Sequence, residues 1–248
     1  MTQKAAYLLA GGPGSDVAHL VALLRQALPV SRPRAPRVAY IGAASGDDAG
    51  FFRRLARLLE QAGAGAVTLA PTCGRSPRRA GLFHQALADA EAVFVSGGDV
   101  ADGMDALLAA GAIPLLRERF DAGIPFVGLS AGSILLGNEW IAWDDPDDDH
   151  TARLFPCLGF APLVCDTHSE DDDWSELRTL LTLRPVGSCG YGIPAPAMLR
   201  VHPDGRLDVL GGDVLRLERG PNSWIQCPIS PVPSLACDAV TAAAGREM

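Results

Sequence analysis

One stretch of the sequence could place a serine as a nucleophile. Gly128-Leu-Ser-Ala-Gly132 has the pattern G-x-S-x-G, and it stands between a short apolar run and an apolar helical run. In a nucleophile elbow, such a turn lifts the serine hydroxyl above a sheet, and the free amides at the helix start face a developing oxyanion. The pattern also fits a plain strand-to-helix turn in which Ser130 only caps the helix. Other residues have to decide between these two interpretations.

A serine nucleophile needs a base, which is usually a histidine held by a carboxylate. His168 follows a short apolar run at residues 163–165, so we predict that it lies at the sheet edge where Ser130 projects, and that it is the base. The other histidines fit helices, a turn or a charged loop more simply: His19, His84, His150 and His202. The residues alone leave the acid open among several aspartates: Asp144, Asp145, Asp147, Asp148, Asp149 and Asp166.

An oxyanion hole needs two backbone amides close to the nucleophile. Ala131, the residue after Ser130, supplies the first. The turn Ser96-Gly-Gly-Asp99 is the best source of the second, because it ends a predicted neighbouring strand and its glycines allow unusual backbone angles.

The elements that must position these residues follow a regular alternation. Five apolar strands are predicted at residues 5–9, 37–41, 66–69, 92–95 and 126–129, and helices separate them. This pattern predicts an α/β fold with a mostly parallel sheet and helices on both faces. The carboxyl ends of parallel strands share one edge, where such sheets bind ligands. Glycine turns follow strands one, two, four and five, so the candidate site falls at that edge.

The second half of the chain has a different character. Residues 138–150 form an acidic, tryptophan-containing segment, which we predict to be a loop, and a helix is predicted at 174–183 with Ser169 and Asp172 as a capping box. A small antiparallel extension is predicted from strands at 186–190, 197–201, 207–210 and 214–217. We therefore expect one domain over residues 1–220 and an irregular tail over 221–248.

Together these motifs resemble the peptidase E and cyanophycinase family of serine peptidases, whose fold is similar to that of class I glutamine amidotransferases. The resemblance spans about residues 5–201 and rests on Val95-Ser-Gly-Gly-Asp99, on Gly128-Leu-Ser-Ala-Gly132 and on His168. It implies that Ser130 is the nucleophile and His168 the base, with Gly98 and Ala131 near the oxyanion. In peptidase E the acid follows the serine by fifteen residues, which implies Asp145, with Asp144 one residue away.

Three positions depart from that family's pattern. Asp99 stands where Asn or Gln is common, and Ser169 stands where an aromatic residue usually follows the histidine. The segment that resembles a substrate-reading element, residues 192–197, carries no charge, so no cation there can read an aspartate. Acidic residues dominate instead, and we expect Asp99 and Asp166 to contact a small peptide substrate with a free amino group or a basic side chain.

Composition limits the other functions. The 248 residues carry a net charge of −8, and no basic stripe is available for nucleic acid. We find no apolar run of about 20 residues for a membrane span, and no signal-peptide pattern. Six cysteines without C-x-x-C spacing favour reduced thiols in a cytoplasmic protein over a metal site or disulfides. The loop Gly11-Gly-Pro-Gly14 lacks the further residues of a nucleotide-binding motif, so no cofactor is expected.

Rival functions remain open at this point. The leading hypothesis is a serine exopeptidase, a dipeptidase or cyanophycinase-like enzyme, that forms an acyl-enzyme on Ser130. The main alternative is a non-catalytic protein of the same fold that binds a small metabolite. A glutamine amidotransferase would normally have a cysteine at the elbow, and an α/β-hydrolase esterase would have to use His202 from a turn. The oligomeric state is not decided by the sequence, and a homodimer stays open.

Overall fold

The structure is a computed structural model that describes residues 5–11, 16–30, 33–74, 76–145 and 148–231. The strands run in chain order: β1 Ala6–Leu9, β2 Arg37–Ile41, β3 Ala66–Leu69, β4 Ala92–Val95, β5 Phe126–Leu129, β6 Glu139–Trp143, β7 Ala152–Pro156, β8 Cys165–Thr167, β9 Cys189–Ile193, β10 Met198–Val201, β11 Leu207–Leu210, β12 Val214–Arg219 and β13 Trp224–Ile229. The helices are α1 Val17–Ala27, α2 Ala49–Ala62, α3 Pro77–Ala88, α4 Val100–Ala109, α5 Ile113–Asp121, α6 Ala131–Leu136 and α7 Ser175–Thr182.

The central sheet has the strand order β11-β10-β1-β5-β4-β2-β3. The five strands β1 to β5 are parallel to one another, while β10 pairs with β1 antiparallel and β11 pairs with β10 antiparallel. The predicted α/β fold with a mostly parallel sheet and a small antiparallel extension is therefore confirmed. The predicted bounds of β2 to β5 agree with the structure, because each is a short, mostly apolar run.

Helices cover both faces of this sheet. On one face α1 and α2 pack Leu24 and Leu59 against strand residues that include Tyr40. On the other face α3 to α6 contribute Leu87, Leu107, Leu116 and Leu135 to a second apolar cluster. Successive strand residues alternate between the two faces. Both faces are buried along β1, β2, β4 and β5, which explains why these strands are almost continuously apolar, whereas the edge strand β3 is partly exposed.

The order of the central strands positions the candidate site. β4 and β5 are adjacent, with Val95 paired to Gly128, so the turns that follow them meet at one edge. This adjacency agrees with the predicted neighbouring strands. The loop after β2 reaches the same edge, where the Asp99 amide donates to the Ala44 carbonyl at 2.8 Å.

A second sheet, with the order β13-β12-β9-β8, places His168. β8 packs on α6, where the Cys165 thiol lies 3.8 Å from the Ser133 carbonyl. β8 is parallel to β9, and the His168 amide just beyond it donates to the Ile193 carbonyl at 2.9 Å. The second sheet therefore places His168 close to α6, the helix that begins just after Ser130.

Two segments differ from the sequence-based expectation. Residues 138–150 were expected to form a loop. Instead, β6 and β7 form a hairpin, and most of the acidic residues of this segment lie at the hairpin tip. Trp140 and Ile141 are buried, and their burial stabilises β6. The strand was not predicted because the aspartates that follow it are typical of a loop. The expected irregular tail over 221–248 contains β13, which pairs with β12 along its length, whereas residues 232–248 lie outside the described part.

Local signals at the helix ends also differ in detail. Asp16 caps α1 by accepting a hydrogen bond from the Ala18 amide, and residues 12–15, which include most of the loop Gly11-Gly-Pro-Gly14, lie outside the described residues. Ser169 makes no side-chain cap, because a 3₁₀ turn at Glu170–Asp172 intervenes before α7. In the described residues, no helix is both long enough and apolar enough to cross a membrane.

Candidate active site

Ser130 lies at the turn from β5 to α6, in a backbone conformation that serine rarely adopts. Its φ is 55° and its ψ is −126°, outside the helical and extended regions. Hydrogen bonds from Ser130 and Ser133 to the backbone of Leu9 in β1 hold this strained turn. The Ser130 amide donates to the Leu9 carbonyl at 2.9 Å, while the buried Ser133 hydroxyl accepts from the Leu9 amide at 2.8 Å and donates to its carbonyl at 3.0 Å. Such strain is common at functional sites, where the surrounding structure maintains it.

The glycine at the helix start is required by close packing. A side chain at Gly132 would place its first carbon 2.1 Å from the Val95 carbonyl oxygen. Because only a hydrogen fits there, α6 can approach the end of β4 closely. The G-x-S-x-G spacing therefore has a steric explanation at its second glycine.

The structure brings His168 to Ser130. The imidazole Nε2 lies 2.7 Å from the Ser130 hydroxyl oxygen, which is a hydrogen-bonding distance. His168 also has a positive φ, of 47°. The serine is partly accessible and the histidine is exposed, so a substrate can reach both. A serine whose hydroxyl contacts an imidazole nitrogen is the basic arrangement for nucleophilic catalysis.

The other ring nitrogen of His168, Nδ1, has no hydrogen-bonding partner among the described residues. The structure does not bring Asp145 into hydrogen-bonding contact with His168; its amide instead donates to the Thr151 hydroxyl at 3.0 Å. Asp144 forms an exposed ion pair with Arg153 at 3.2 Å. Both aspartates lie where β6 leads into the acidic tip of the hairpin. Asp148 and Asp149 lie at that tip, and Asp147 is outside the described residues.

The two backbone amides expected to form an oxyanion hole, those of Gly98 and Ala131, both lie beside Ser130 at the cavity. Gly98 has a φ of 145°, and a side chain there would overlap the Ala44 carbonyl, with 1.9 Å between its first carbon and the oxygen. Glycine is thus needed at this position. Ala131 is the first residue of α6, so its amide has no acceptor within the helix. Gly98 and Ala131 line the same cavity as Ser130.

This cavity has a volume of about 460 Å³. Its lining includes the predicted site residues Ser130 and His168 and several residues that the sequence did not suggest. The hairpin supplies an aromatic wall that includes Trp140 and Trp143. Carboxylates of Asp99, Asp166 and Glu176 also line the cavity, and none of its described lining residues is lysine or arginine. The cavity therefore has a negative character.

Asp166 is the most unusual of these carboxylates, because only 3% of its surface is exposed. Burial raises the pKa of Asp166 to about 7, although a hydrogen bond from the Thr167 amide acts in the opposite direction. Asp99 is exposed, and one of its oxygens caps α4 by accepting from the Asp102 amide at 2.8 Å.

Sequence reasoning missed Glu176 and the two tryptophans. Glu176 lies in the first turn of α7, where an acidic residue is ordinarily explained by the helix dipole. Burial, followed by Asp172 and Asp99, raises its pKa. The only signal in the sequence was its short separation from His168, which did not reveal that α7 faces the cavity.

Two other features lie outside the cavity. His202 is buried, and its Nε2 lies 2.5 Å from an Asp208 carboxylate oxygen in the β10–β11 hairpin. It is therefore a structural residue and not the base that an esterase mechanism on Ser130 would need. Across the described ranges, no group of three or more His, Cys, Asp or Glu side chains is arranged to hold a metal ion.

Comparison with known proteins identifies the family of this chain. The family model of peptidase family S51 matches residues 7–207. A peptidase E from Shewanella denitrificans is 42% identical over 53 residues, which span 21% of this chain and 23% of that protein. The chain thus matches about a quarter of the length of this curated relative.

Two solved structures share the fold. A peptidase from an acI-B1 Actinobacterium superposes with a TM-score of 0.67 at 19% identity, covering 92% of this chain and 97% of the other. A putative peptidase E from Listeria monocytogenes EGD-e gives a TM-score of 0.55 at 15% identity, covering 92% and 100%. The resemblance seen in the sequence is confirmed by the family match, and the chain belongs to peptidase family S51.

Proposed function

We propose that the chain is a serine exopeptidase that hydrolyses small peptides through an acyl-enzyme on Ser130. The observation that carries this proposal is the 2.7 Å contact between the Ser130 hydroxyl and His168 Nε2, beside a cavity lined by Gly98 and Ala131. A non-catalytic binding protein would have no need for the strained backbone that directs this hydroxyl to the imidazole.

Each proposed step uses a group in that arrangement. Ser130 Oγ attacks the peptide carbonyl carbon while His168 Nε2 takes the hydroxyl proton. The negative charge on the carbonyl oxygen is stabilised by the Gly98 and Ala131 amides. His168 then passes the proton to the departing amine, which leaves an ester on Ser130. Water, deprotonated by His168, then attacks this ester. The bond between the acyl carbon and Ser130 Oγ breaks, His168 returns the proton to Oγ, and the carboxylic acid product leaves the free serine.

We further propose Asp145 as the carboxylate that orients His168. Support comes from the hairpin, because β6 lines the cavity through Trp140 to Trp143 and Asp145 lies two residues beyond that wall. Catalytic hydrogen bonds are often absent or long without substrate and tighten when it binds. Asp144 is already paired with Arg153.

Asparagine substitutions separate these two neighbours. Asp145→Asn is expected to lower kcat by roughly 10²–10⁴-fold, since the imidazole would then favour the wrong tautomer, and Asp144→Asn serves as the matched control with a much smaller effect. Steady-state kinetics on both variants measure the difference. The reverse order would assign the role to Asp144, and near-neutral effects for both would show that neither aspartate orients His168.

The charge of the cavity predicts its substrate preference. With Asp99, Asp166 and Glu176 in its lining, the site should favour peptides that carry a free amino group or a basic side chain. We expect kcat/KM for lysyl and arginyl dipeptides to exceed that for neutral dipeptides, with aspartyl dipeptides last. The lead should shrink at high salt, because ions screen the attraction.

A panel of dipeptides, assayed at low and high salt, tests both the activity and this order. Hydrolysis of none of the dipeptides would argue against the proposed exopeptidase. A preference for aspartyl dipeptides would leave the peptidase activity standing but would show that the negative cavity does not select the substrate.

A further inference from the structure

Asp166, one of the residues that line the cavity, has a carboxylate oxygen with an unused hydrogen-bonding position. Its Oδ1 accepts from the Thr167 amide at 2.7 Å, but its buried Oδ2 has no partner among the described residues. The neighbouring Ser169 hydroxyl donates to the Thr167 carbonyl at 3.3 Å, and its interaction with the Asp166 carboxyl lowers the pKa of that group without offsetting the effect of burial. A buried carboxylate oxygen without a donor is unfavourable, so its presence calls for an explanation.

Further carboxylates surround this orphaned oxygen. Glu176 lines the same cavity, and repulsion from Glu176 and Asp172 adds to burial in raising the pKa of Asp166. The closest arginine along α7, Arg178, is held elsewhere by Asp173 at 3.0 Å and lies over the Trp224 ring. Within the described part of the protein, the group is therefore a buried acid beside other acids, with no lysine or arginine among the cavity's lining residues.

Building on the proposed function, we propose that Asp166 and Glu176 form a subsite that binds a primary ammonium group of the substrate. The ammonium would donate to Asp166 Oδ2 and offset the repulsion between the two carboxylates. An ammonium has three donors and no acceptor, which suits a site built from carboxylates. The group can be the α-ammonium of a peptide or the side chain of a lysine.

Such a subsite would couple binding to pH. Because the pKa of Asp166 is raised to about 7, the empty site at lower pH carries a proton that must leave before the cation binds. Affinity should therefore rise with pH up to about 7 and then level off. It should fall again when an α-ammonium loses its own proton, near pH ~8.

Other titratable groups face Asp166 and must be considered in that profile. Glu176 lies on α7, and its own pKa is raised; Asp172 lies in the turn before it, and Asp99 at the start of α4 faces Glu176. His168 follows β8 and would repel the cation in its charged form. Cys165 lies beneath on β8, where burial raises its pKa so far that it stays neutral. Only the part of the pH dependence that disappears in Asp166→Asn is assigned to Asp166.

Binding can be measured without catalysis in the full-length Ser130→Ala variant. The probes are alanyl-leucine and N-acetyl-alanyl-leucine, titrated by calorimetry at pH 7.5. A hydrogen bond to a charged group contributes about 1.5–3 kcal/mol, so the free dipeptide should bind roughly 10- to 100-fold more tightly than its acetylated form.

Second substitutions locate the subsite. Asp166→Asn should reduce the preference for the free amine to about twofold or less and remove the rise in affinity below pH 7. Glu176→Gln should reduce the preference for the free over the acetylated dipeptide by about three- to tenfold. These reductions follow from loss of one charged partner in each variant. Glu170→Gln, which removes an exposed charge outside the cavity, should leave the preference unchanged.

A third probe, N-acetyl-lysyl-leucine, identifies the source of the ammonium. Binding as tight as that of alanyl-leucine assigns the subsite to a basic side chain, and weaker binding assigns it to the α-ammonium. Either result agrees with the subsite. Equal binding of alanyl-leucine, N-acetyl-alanyl-leucine and N-acetyl-lysyl-leucine would overturn the subsite, as would a preference for the ammonium-bearing probe that survives in both Asp166→Asn and Glu176→Gln.

Equal losses for the free and acetylated dipeptides in Asp166→Asn would also overturn the subsite, because they would show that Asp166 only supports the His168 segment. Should Asp166→Asn fail to fold, the subsite is tested by Glu176→Gln and by the pH dependence of dipeptide binding to the Ser130→Ala protein. None of these measurements needs the nucleophile, so failure here leaves the reaction of Ser130 to be tested separately.

Discussion

Ser130→Ala is expected to lower kcat by roughly 10⁴- to 10⁶-fold while the protein remains folded, as is typical when the nucleophile of such a unit is removed. The hydroxyl oxygen contacts His168 Nε2, and alanine offers no other atom that could form the acyl-enzyme. The substitution removes one partly accessible hydroxyl, so the free energy of unfolding should change by less than about 1 kcal/mol. Steady-state kinetics and thermal unfolding of the same preparation measure both effects.

A Ser130→Ala variant with wild-type turnover and an unchanged melting temperature would refute the serine mechanism. A variant that loses activity together with its fold would show that Ser130 is structural. The two readouts therefore separate a catalytic hydroxyl from a structural one.

His168→Ala is expected to cost nearly as much as Ser130→Ala, and the double variant should cost no more than the single serine variant. Groups that act as one unit are strongly non-additive, because the base has nothing to do once the nucleophile is gone. His150→Ala is the matched control, since His150 is exposed in a 3₁₀ turn and does not line the cavity.

Kinetics on the two single variants and the double variant form a cycle that measures this coupling. Independent losses that multiply in the double variant would contradict a shared mechanism. A large loss in His150→Ala would assign the base to the hairpin instead of the turn after β8.

The positions of Ser130 and His168 could be anticipated because they depend on simple rules. Short apolar runs that end in glycine turns define the strands, and parallel strands bring their carboxyl ends to one edge. This reasoning placed β4 next to β5 and the Ser96–Asp99 turn near the elbow, and the structure has both. The backbone strain at Ser130 has no sequence signal beyond the flanking glycines.

The hairpin and α7 could not be anticipated for physical reasons. Burial of Trp140 and Ile141 stabilises β6, and only the tertiary structure shows this burial. The aspartates that follow dominate the local composition and favour the expectation of a loop. Glu176 looks like an ordinary acidic residue in a first helical turn, and its position in the cavity wall depends on packing between α7 and distant strands.

The carboxylate partner of His168 shows a different limit. The run of aspartates near the hairpin tip offers several candidates at similar sequence distances, and spacing alone cannot choose among them. Asp145 is exposed in the structure and makes no hydrogen bond with the imidazole, so its assignment depends on the asparagine variants. Asp166, which the sequence suggested for substrate contact, lines the cavity as a buried carboxylate.

The most direct measurement of the central claim is covalent labelling with a fluorophosphonate, followed by mass mapping. An activated serine oxygen attacks the phosphorus and displaces fluoride, so the label marks the nucleophile without any assumption about the substrate. We predict one labelled peptide with the modification on Ser130, and much slower labelling in His168→Ala. A protein that stays unlabelled while a known serine hydrolase reacts under the same conditions, or a label on another serine, would contradict the account.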